Sequence, residues 1–484
     1  MKESLQHPIF NIISKIAGEQ QIQVFVIGGF VRDLLLQRTS KDADIVVVGD
    51  GIELAHEVKK RYNEKCDFSY FKNYGTAQLK TQDWIFEFVG ARKESYSPES
   101  RNPLVFPGTL DDDQKRRDFT INALALSLHP DSLGELTDPF GGVDDIKNGI
   151  IKTPLDPDIT FSDDPLRMMR AIRFATQLNF KIADKTYIAL AANAHRLDII
   201  SMERVSDELN KIILSKTPSI GFKILFDTKL LHRFFPEMVA LQGVETINGL
   251  SHKDNFYHTL QVLDQICELT DDLWLRWAAI LHDIAKPVTK RFEPEGFTFH
   301  GHEDKGARMV KHIFKKLKLP LNEKMEFVAK MVLLHLRPKG LAESPQITDS
   351  GFRRLIVDAG EEVDSLFTLC FADITSKNKT KVETFRRNLL EVRERMREVE
   401  ERDNLRYWQP PITGLDIMEA FNIKPSREVG IIKEAIKEAI LDGQVDNNRE
   451  AAWIFMMDKG KEIGLASPPA PSPGRRGGEN DLLE

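Results

Sequence analysis

The sequence predicts an α+β fold, with an α/β head followed by a long all-helical body. Strand-like apolar runs alternate with helical spacing up to about residue 150. From about residue 155 the strand signals largely vanish, and helical spacing continues to residue 462. A chain of 484 residues has room for about three domains, so both regions can bury cores of their own.

The elements of the head are predicted from short local patterns. Helical spacing covers residues 8–18 and 52–62, and apolar or alternating runs predict strands at 23–29, 44–49, 76–80 and 84–91. The segment 94–113 is polar and contains prolines, so a long loop is predicted there. Loops of that length in compact domains are usually functional or disordered.

Long helices are predicted in the body at 164–178 and 380–408. The final stretch is rich in Pro, Gly and Ser and is predicted to be disordered. We therefore divide the chain into a head, a helical neck, a second helical domain, a helical tail and a disordered C-terminus, at residues 1–150, 151–235, 236–400, 401–462 and 463–484.

Composition limits the class of protein. A hydrophobic content of 41% and a charged content of 29% are typical of a soluble protein. No apolar run approaches a membrane span, and no signal peptide is evident. Three cysteines far apart in the sequence fit a reducing, cytoplasmic location. The net charge of −7 argues against indiscriminate nucleic-acid binding, although a local basic groove remains compatible with it. Nothing indicates a protein partner.

The stretch GGFVRD at 28–33 follows a predicted strand and opens a predicted helix. Gly28 and Gly29 would let backbone N–H groups approach a ligand, and a helix N-terminus favours an anion. Arg32 adds a guanidinium suited to phosphate. A purely structural Gly-Gly turn is the alternative reading of this motif alone.

The stretch KDADIVVVG places Asp42 and Asp44 two residues apart on a strand, so both carboxylates leave the same face. Such a pair suits Mg²⁺ held jointly with substrate phosphates, and it can support two-metal phosphoryl transfer. A solvated loop before a strand is the alternative. Glu87 lies in a predicted strand, where it is either a third catalytic carboxylate or a solvent-facing residue.

The stretch RRDFTINALAL at 116–126 is predicted to start a helix. Arg116 and Arg117 are candidates for holding a triphosphate. Asp118 and Asn122 would lie one helical turn apart on one face, where a carboxylate and an amide can read a ribose hydroxyl.

These blocks, followed by DPFGGVDDI, SDDPLRMMRAIRFA and SMERVSDEL, resemble the class II tRNA nucleotidyltransferase and bacterial poly(A) polymerase family. The resemblance implies a polymerase-β-like head, Mg²⁺ there, and a tRNA 3′ end, CTP and ATP as partners. It implies that Asp164 and Arg167 form a protein template that reads the nucleobase, and that the segment 94–113 is a mobile element for switching from C to A addition. Arg170 and Arg173 continue the predicted template face and are candidates for phosphate contact.

The template has a simple chemical basis. A carboxylate only accepts hydrogen bonds and a guanidinium only donates them. Cytosine and adenine each present an amino donor beside a ring acceptor. One Asp–Arg pair, placed on one helix face, can therefore serve both bases and mismatch guanine and uracil.

A second constellation surrounds LHDIAKP at 281–287. Imidazole and carboxylate ligands at such intervals suit a divalent transition metal. Their order resembles the HD-domain metal phosphohydrolases. The resemblance implies one metal held by His258, His282, Asp283 and Asp373, with His302 and His335 serving a second metal or a substrate phosphate. The segment 410–452 resembles the tRNA-facing helical tail found after HD domains in bacterial relatives.

The predicted function is template-independent addition of CCA to the tRNA 3′ end from CTP and ATP, with release of pyrophosphate. The alternatives are a poly(A) polymerase or an enzyme that adds only A or only CC. A further alternative from another class is an HD metal-dependent phosphohydrolase, with or without the transferase activity.

Overall fold

A computed structural model of the chain describes residues 2–97, 100–248, 250–251, 253–343, 348–376, 378–403 and 408–465. The chain divides into two compact units, residues 1–333 and 334–484. The division falls inside the segment 236–400, and the domain boundaries given by the sequence remain predictions. The predicted disordered C-terminus lies, from residue 466 onward, outside the described residues. Among the described helices, none combines the length and the apolar character needed to cross a bilayer.

The head is built on strands that the sequence patterns largely predicted. In the described part of the head these are β1 (Val24–Ile27), β2 (Asp42–Val47), β3 (Asp67–Phe71), β4 (Thr76–Lys80), β5 (Ile85–Gly90), β6 (Arg92–Ser97), β7 (Ser100–Pro107), β8 (Ala125–Ser127) and β9 (Leu136–Thr137). Seven of these described strands form one mixed sheet in the order β3-β4-β5-β2-β1-β8-β9. β2 and β5 run parallel, and the other neighbours are antiparallel.

Five helices complete the described head: α1 (Pro8–Gln20), α2 (Gly29–Leu35), α3 (Gly51–Arg61), α4 (Leu110–Lys115) and α5 (Gly142–Asn148). α3 begins where it does because the Asp50 carboxylate accepts hydrogen bonds from the backbone N–H groups of Ile52 and Glu53. α3 packs on β4 and β5, and α1 packs on α3. The uniformly buried strand β1 shows that the centre of the sheet forms the core of the head.

The segment 94–113 was predicted as a long loop, and that prediction is wrong. β6 and β7 form an antiparallel hairpin, and α4 follows it. The loop was predicted because the segment contains prolines. Pro103 and Pro107 nevertheless lie in β7, a strand of a two-stranded hairpin. An edge position tolerates a residue without a backbone donor.

Helices dominate the remainder of the first unit, as predicted. They are α6 (Pro157–Asp163), α7 (Leu166–Leu178), α8 (Asp184–Asn193), α9 (Met202–Ile213), α10 (Pro218–Asp227), α11 (Leu230–Phe234), α12 (Pro236–Val239), α13 (Asn255–Cys267), α14 (Leu273–Leu281), α15 (Lys286–Thr289), α16 (His302–Lys316) and α17 (Glu323–Leu334). Short strand pairs occur as well: β10 (Ile150–Ile151) with β11 (Lys181–Ile182), β12 (Thr246–Ile247) with β13 (Leu250–Ser251), and β14 (Arg291–Glu293) with β15 (Gly296–Thr298).

Helices are the only regular secondary structure among the described residues of the second unit. Its helices are α18 (Arg337–Glu343), α19 (Asp349–Ala359), α20 (Val363–Ala372), α21 (Lys379–Asp403), α22 (Gly414–Phe421), α23 (Arg427–Leu441) and α24 (Arg449–Glu462). The last three helices share a core that includes Ile417, Ile436 and Met456. The α+β class predicted from the sequence is confirmed.

Candidate active site

Three carboxylates project from one face of the head sheet. Asp44 of β2 pairs in register with Glu87 of β5, and Asp42 lies two residues before Asp44 on the same strand. Because side chains alternate along a strand, Asp42, Asp44 and Glu87 leave the sheet on the same side. Glu87 therefore stands beside the predicted pair instead of facing away from it.

The electrostatics of these carboxylates favour a cation. Burial raises the pKa of Asp42, and the charge of Asp44 raises it further. Burial also raises the pKa of Asp44, against the opposing charge of Arg117. The pKa of Glu87 is raised by burial and then by Asp44, while a hydrogen bond from Gln78 opposes the shift. Mutually repelling, partly desolvated carboxylate oxygens are the donor set that a hard divalent cation relieves, so these residues fit a divalent metal.

Gly28 lies against this carboxylate face. Its φ is +83° and ψ is −130°, a conformation that only glycine adopts readily. A Cβ there would lie 2.9 Å from Arg117 Nη1 and 3.3 Å from Asp44 Oδ2. Gly29 then begins α2. The glycine thus allows the backbone, the Arg117 guanidinium and the Asp44 carboxylate to lie close together.

Asp118 and Asn122 come together, although the helix predicted for them does not form. Asp118 precedes a single 3-10 turn at Thr120–Asn122, and β8 follows. The Asn122 amide donates to Asp118 Oδ1 over 3.1 Å, and Arg32 Nη1 donates to Asn122 Oδ1 over 2.8 Å. Arg170 Nε donates to Asp118 Oδ2 over 2.7 Å. A hydrogen-bonded chain therefore joins α2 to α7 through these two residues.

Asp118 is held ionised by its partners. Burial acts to raise the pKa of Asp118. The charge of Arg170 and hydrogen bonds from Asn122 and Arg170 outweigh burial and lower the pKa to about 2.

Three arginines surround one aromatic ring. The guanidinium carbons of Arg32, Arg170 and Arg173 lie 5.0, 5.4 and 4.2 Å from the centroid of Phe174. Arg173 also forms an ion pair with the buried Glu208. These contacts hold the guanidinium groups in a cluster beside the head.

Arg116 and Arg117, predicted to hold a triphosphate, share a buried carboxylate. Asp113 is fully buried. Arg117 Nε donates to Asp113 Oδ2 over 3.0 Å, and Arg116 Nε donates to Asp113 Oδ1 over 3.0 Å. Arg116 also lies 3.3 Å from Glu94 of the β6–β7 hairpin. The ion pairs fix the orientation of Arg117 next to Gly28.

The expectation that Asp164 and Arg167 occupy one helix is wrong. Asp164 is extended, with φ −134° and ψ 99°, and α7 begins only at Leu166. Pro165 explains this, because proline disfavours the helical conformation in the residue before it. Asp164 Oδ1 accepts a hydrogen bond from Leu166 N over 3.1 Å. Arg167 Nη2 donates to the Arg116 carbonyl over 2.6 Å, so Arg167 is directed toward the head.

A second candidate site lies in the same unit, around Asp283. His258 Nε2 and His282 Nε2 lie 3.4 and 3.2 Å from Asp283 Oδ2, and His302 Nε2 lies 3.3 Å from Asp283 Oδ1. His258, His282 and Asp283 offer ligand atoms within 4.8 Å of one another.

The imidazole rings at this second site are oriented by backbone carbonyls. His282 Nδ1 donates to Ala279 O and His302 Nδ1 donates to Phe299 O, each over 2.8 Å. This arrangement leaves each Nε2 as the coordinating atom, which is typical of metal-binding histidines. The donor set therefore fits a divalent metal.

His335 and Asp373, also predicted as metal ligands, belong to the second unit. His335 is buried, and its carbonyl accepts a hydrogen bond from Cys370 Sγ over 3.1 Å. Asp373 follows the end of α20. That these two residues complete the metal site around Asp283 remains a prediction.

Several residues that shape the sites were not anticipated. Asp113, Glu208, Gln78 and Phe174 hold the predicted residues in place. Asp113 lies in a run of three aspartates that is typical of a solvated surface. Only the fold shows that its carboxylate is the buried one.

The carboxylates of the head sheet and the His/Asp cluster of the helical body thus form two separate sites whose donor sets fit divalent metals. Three family models match the chain: a poly A polymerase head domain at residues 24–152, a probable RNA and SrmB-binding site of polymerase A at 179–241, and an HD domain at 255–376.

Curated relatives agree with these family matches. A multifunctional CCA protein of Shewanella frigidimarina is 34% identical over 306 residues, covering 62% of this chain and 70% of that protein. An A-adding tRNA nucleotidyltransferase of Deinococcus radiodurans is 32% identical over 359 residues, covering 72% of this chain and 79% of that protein. The chain therefore belongs to the tRNA nucleotidyltransferase family, and the resemblance predicted from its motifs is confirmed. Membership implies dependence on divalent metal.

Solved structures show the same fold. A CCA-adding enzyme in complex with ATP superposes with a TM-score of 0.60 at 21% identity, covering 94% of this chain and 95% of that chain. A Thermotoga maritima CCA-adding enzyme complexed with tRNA gives a TM-score of 0.56 at 21% identity, covering 93% and 95%.

Proposed function

We propose that this chain adds CCA to the 3′ end of tRNA from CTP and ATP and releases pyrophosphate. One observation carries the proposal. Arg167 donates to the Arg116 carbonyl, and the adjacent Arg117 lies against Gly28 and Asp44. Arg167, the candidate base-reading residue, is therefore held close to the carboxylate face, where the new phosphodiester bond would form.

The carboxylates of Asp42, Asp44 and Glu87 would hold Mg²⁺. When bound, Mg²⁺ promotes deprotonation of the tRNA 3′ hydroxyl and neutralises charge on the triphosphate. The protein's own part is to align these carboxylates on one face of the sheet, where a divalent cation would favour their ionised form. Gly28 and Gly29 would let the backbone approach the triphosphate, to which Arg32 and Arg117 would supply charge. Asp118 and Asn122 would contact the ribose, and Asp164 and Arg167 would contact the base. Arg170 and Arg173 would lie near phosphate.

Base choice follows from hydrogen-bond polarity. Asp164 can accept from the amino group of cytosine or adenine, and Arg167 can donate to a ring acceptor. Guanine and uracil present a carbonyl where Asp164 needs a donor. Asp164 accepts from Leu166 N and Arg167 donates to the Arg116 carbonyl, and each group retains further acceptors or donors for a base.

The test uses a tRNA that ends before CCA, incubated with CTP, with ATP and with both, and resolved to single nucleotides on a gel. We expect two additions with CTP alone and a third when ATP is present. A long tail from ATP alone would indicate a poly(A) polymerase. A single A added only to a tRNA already ending in CC would indicate an A-adding enzyme.

A second candidate function rests on the cluster around Asp283. The chain would hydrolyse a phosphate ester at a divalent transition metal held by His258, His282 and Asp283. The resemblance of the sequence to HD-domain phosphohydrolases adds Asp373 to the ligands of this metal, and His302 and His335 to a second metal or the substrate phosphate. Asp42→Ala should abolish nucleotide addition and spare hydrolysis, and His282→Ala should do the reverse. Loss of both activities in either single variant would contradict two separate sites. We place both activities in the cytoplasm.

A further inference from the structure

The guanidinium of Arg32 is held from two sides. Its Nε and Nη2 donate to the two carboxylate oxygens of Asp33, each over 2.9 Å, and its Nη1 donates to Asn122 Oδ1 over 2.8 Å. A guanidinium is planar, so two hydrogen bonds to one carboxylate fix the direction of that plane. The side chains of Arg32 and Asp33 are 11% and 20% exposed, so the pair is largely shielded from solvent.

The guanidinium lies beside the glycine turn that opens α2. A Cβ on Gly29 would lie 3.7 Å from Arg32 Nη2. The bonds to Asp33 and Asn122 use three of the five N–H groups of an arginine, and they leave one N–H on Nη1 and one on Nη2 for other contacts. Asp33 therefore determines which donors Arg32 can offer to a group bound at the Gly28–Gly29 turn.

Asp33 also balances charge around the Phe174 ring. The three arginines at this ring each form an ion pair with a different carboxylate: Arg32 with Asp33, Arg170 with Asp118, and Arg173 with Glu208. Loss of the Asp33 charge would leave Arg32 beside two like charges, with the neutral Asn122 amide as its remaining described partner. The guanidinium would then be free to turn away from the glycine turn.

Helix formation alone does not explain an aspartate at this position. Asp33 lies beyond the first turn of α2 (Gly29–Leu35). An aspartate stabilises a helix in its first turn, through the helix dipole, and is a poor helix former further along. Its contacts with Arg32 give it a role that helix stability does not.

We propose that Asp33 is a positioning residue for nucleotide binding, because it directs the Arg32 guanidinium toward the triphosphate of the incoming nucleotide. The proposal rests on the nucleotide-adding function proposed above and names a further residue of that site. The triphosphate is common to CTP and ATP. Loss of the Asp33 charge should therefore weaken both nucleotides by the same factor and leave the choice of base unchanged.

The test measures the dissociation constants of CTP and ATP with Mg²⁺, by isothermal titration calorimetry with the full chain, and KM and kcat for nucleotide addition. Asp33→Asn keeps the shape of the side chain and removes its charge. We expect both dissociation constants and both KM values to rise about tenfold, the loss expected for one charge-assisted hydrogen bond. We expect kcat to stay within about twofold of wild type. A folding defect gives the opposite result, because a smaller active fraction lowers kcat and leaves KM unchanged.

Asp198→Asn is the matched control. Asp198 accepts from Nε and Nη2 of Arg233 in the same way, at an exposed position in the neck, so this variant should keep the wild-type constants. Asp33→Glu restores the carboxylate and should recover most of the affinity. In an Arg32→Ala background, Asp33→Asn should have little further effect, since Asp33 acts through Arg32.

The proposal is overturned if Asp33→Asn binds CTP and ATP as tightly as Asp198→Asn does, or if Asp33→Asn weakens binding equally with and without Arg32. Failure of the proposed function gives a different result. The wild-type chain would then produce no CCA ends on tRNA, while the loss of nucleotide affinity in Asp33→Asn would still be measured.

Discussion

Gly28→Ala gives the sharpest test of how the catalytic face is built. The new Cβ would lie 2.9 Å from Arg117 Nη1, closer than side-chain atoms tolerate, and 3.3 Å from Asp44 Oδ2. Arg117 is the end of a long side chain, so it must move. Its Nε is held by the buried Asp113, which limits where the guanidinium can go. The backbone conformation at φ +83° adds strain for any residue with a Cβ.

The expected magnitudes follow from these two effects. Strain at such a backbone position costs about 1–3 kcal/mol of stability. Displacement of a group at a reacting centre by about 1 Å costs roughly 100-fold in rate. We therefore expect kcat/KM for the first nucleotide added to fall about 100-fold, in a protein that remains folded. Urea unfolding and single-turnover incorporation measure the two effects separately.

Gly75→Ala is the matched control. Gly75 also has a positive φ, +60°, but a Cβ there meets nothing within 4 Å. It should lose about 1–2 kcal/mol of stability for the left-handed conformation and keep its rate of nucleotide addition. If Gly28→Ala retains a rate within twofold of Gly75→Ala, the contact of Gly28 with Arg117 and Asp44 does not position the reaction.

Three further predictions concern single carboxylates and the second metal site. The ion pair with Arg170 and the hydrogen bonds to Asp118 lower its pKa to about 2 in the folded state, from an ordinary value of 3.8. Its ionisation therefore stabilises the fold above about pH 4, and this contribution, about 2 kcal/mol at one pKa unit per 1.36 kcal/mol, is lost as the pH falls through 2. Asp118→Asn should thus have a lower free energy of unfolding than wild type at pH 7, measured with urea, and the difference should disappear in acid. A difference that does not depend on pH would contradict this. Glu87→Gln should raise the Mg²⁺ concentration needed for half-maximal nucleotide addition several-fold, since one metal-facing charge is lost. The control variant Gln78→Leu should have a smaller effect. An unchanged Mg²⁺ requirement in Glu87→Gln would show that Glu87 is not a ligand. His282→Ala should lose its bound transition metal and keep nucleotide addition, and inductively coupled plasma mass spectrometry measures the metal content. A variant that retains the metal would show that His282 is not a ligand.

Much of the head could be predicted from local patterns. The runs at 23–29, 44–49, 76–80 and 84–91 became strands because buried and alternating apolar residues have a clear periodicity. The pairing of Glu87 with Asp44 could not be predicted from local sequence patterns. It depends on which strands lie side by side, and β2 and β5 are separated by more than thirty residues of chain.

Two wrong predictions have specific physical causes. The helix predicted from Arg116 is absent because Ala125–Ser127 forms a buried strand, and a fully buried strand has no alternation to distinguish it from a helix. The expectation that Asp164 lies on the helix of Arg167 overlooked the restriction that Pro165 places on the preceding residue. The ion pairs of Asp113 were not predictable, since burial of one aspartate among three is a property of the tertiary fold.

The most direct test of the account is the sequence of the 3′ ends that the chain produces. A tRNA ending before CCA is incubated with CTP and ATP and the wild-type, Asp42→Ala or Asp83→Ala chain, and the product ends are sequenced. Asp83 is a suitable control because its carboxylate is exposed and pairs only with Lys41 among the described residues. The account predicts CCA ends with wild type and Asp83→Ala and unextended tRNA with Asp42→Ala. CCA ends made by Asp42→Ala would contradict it.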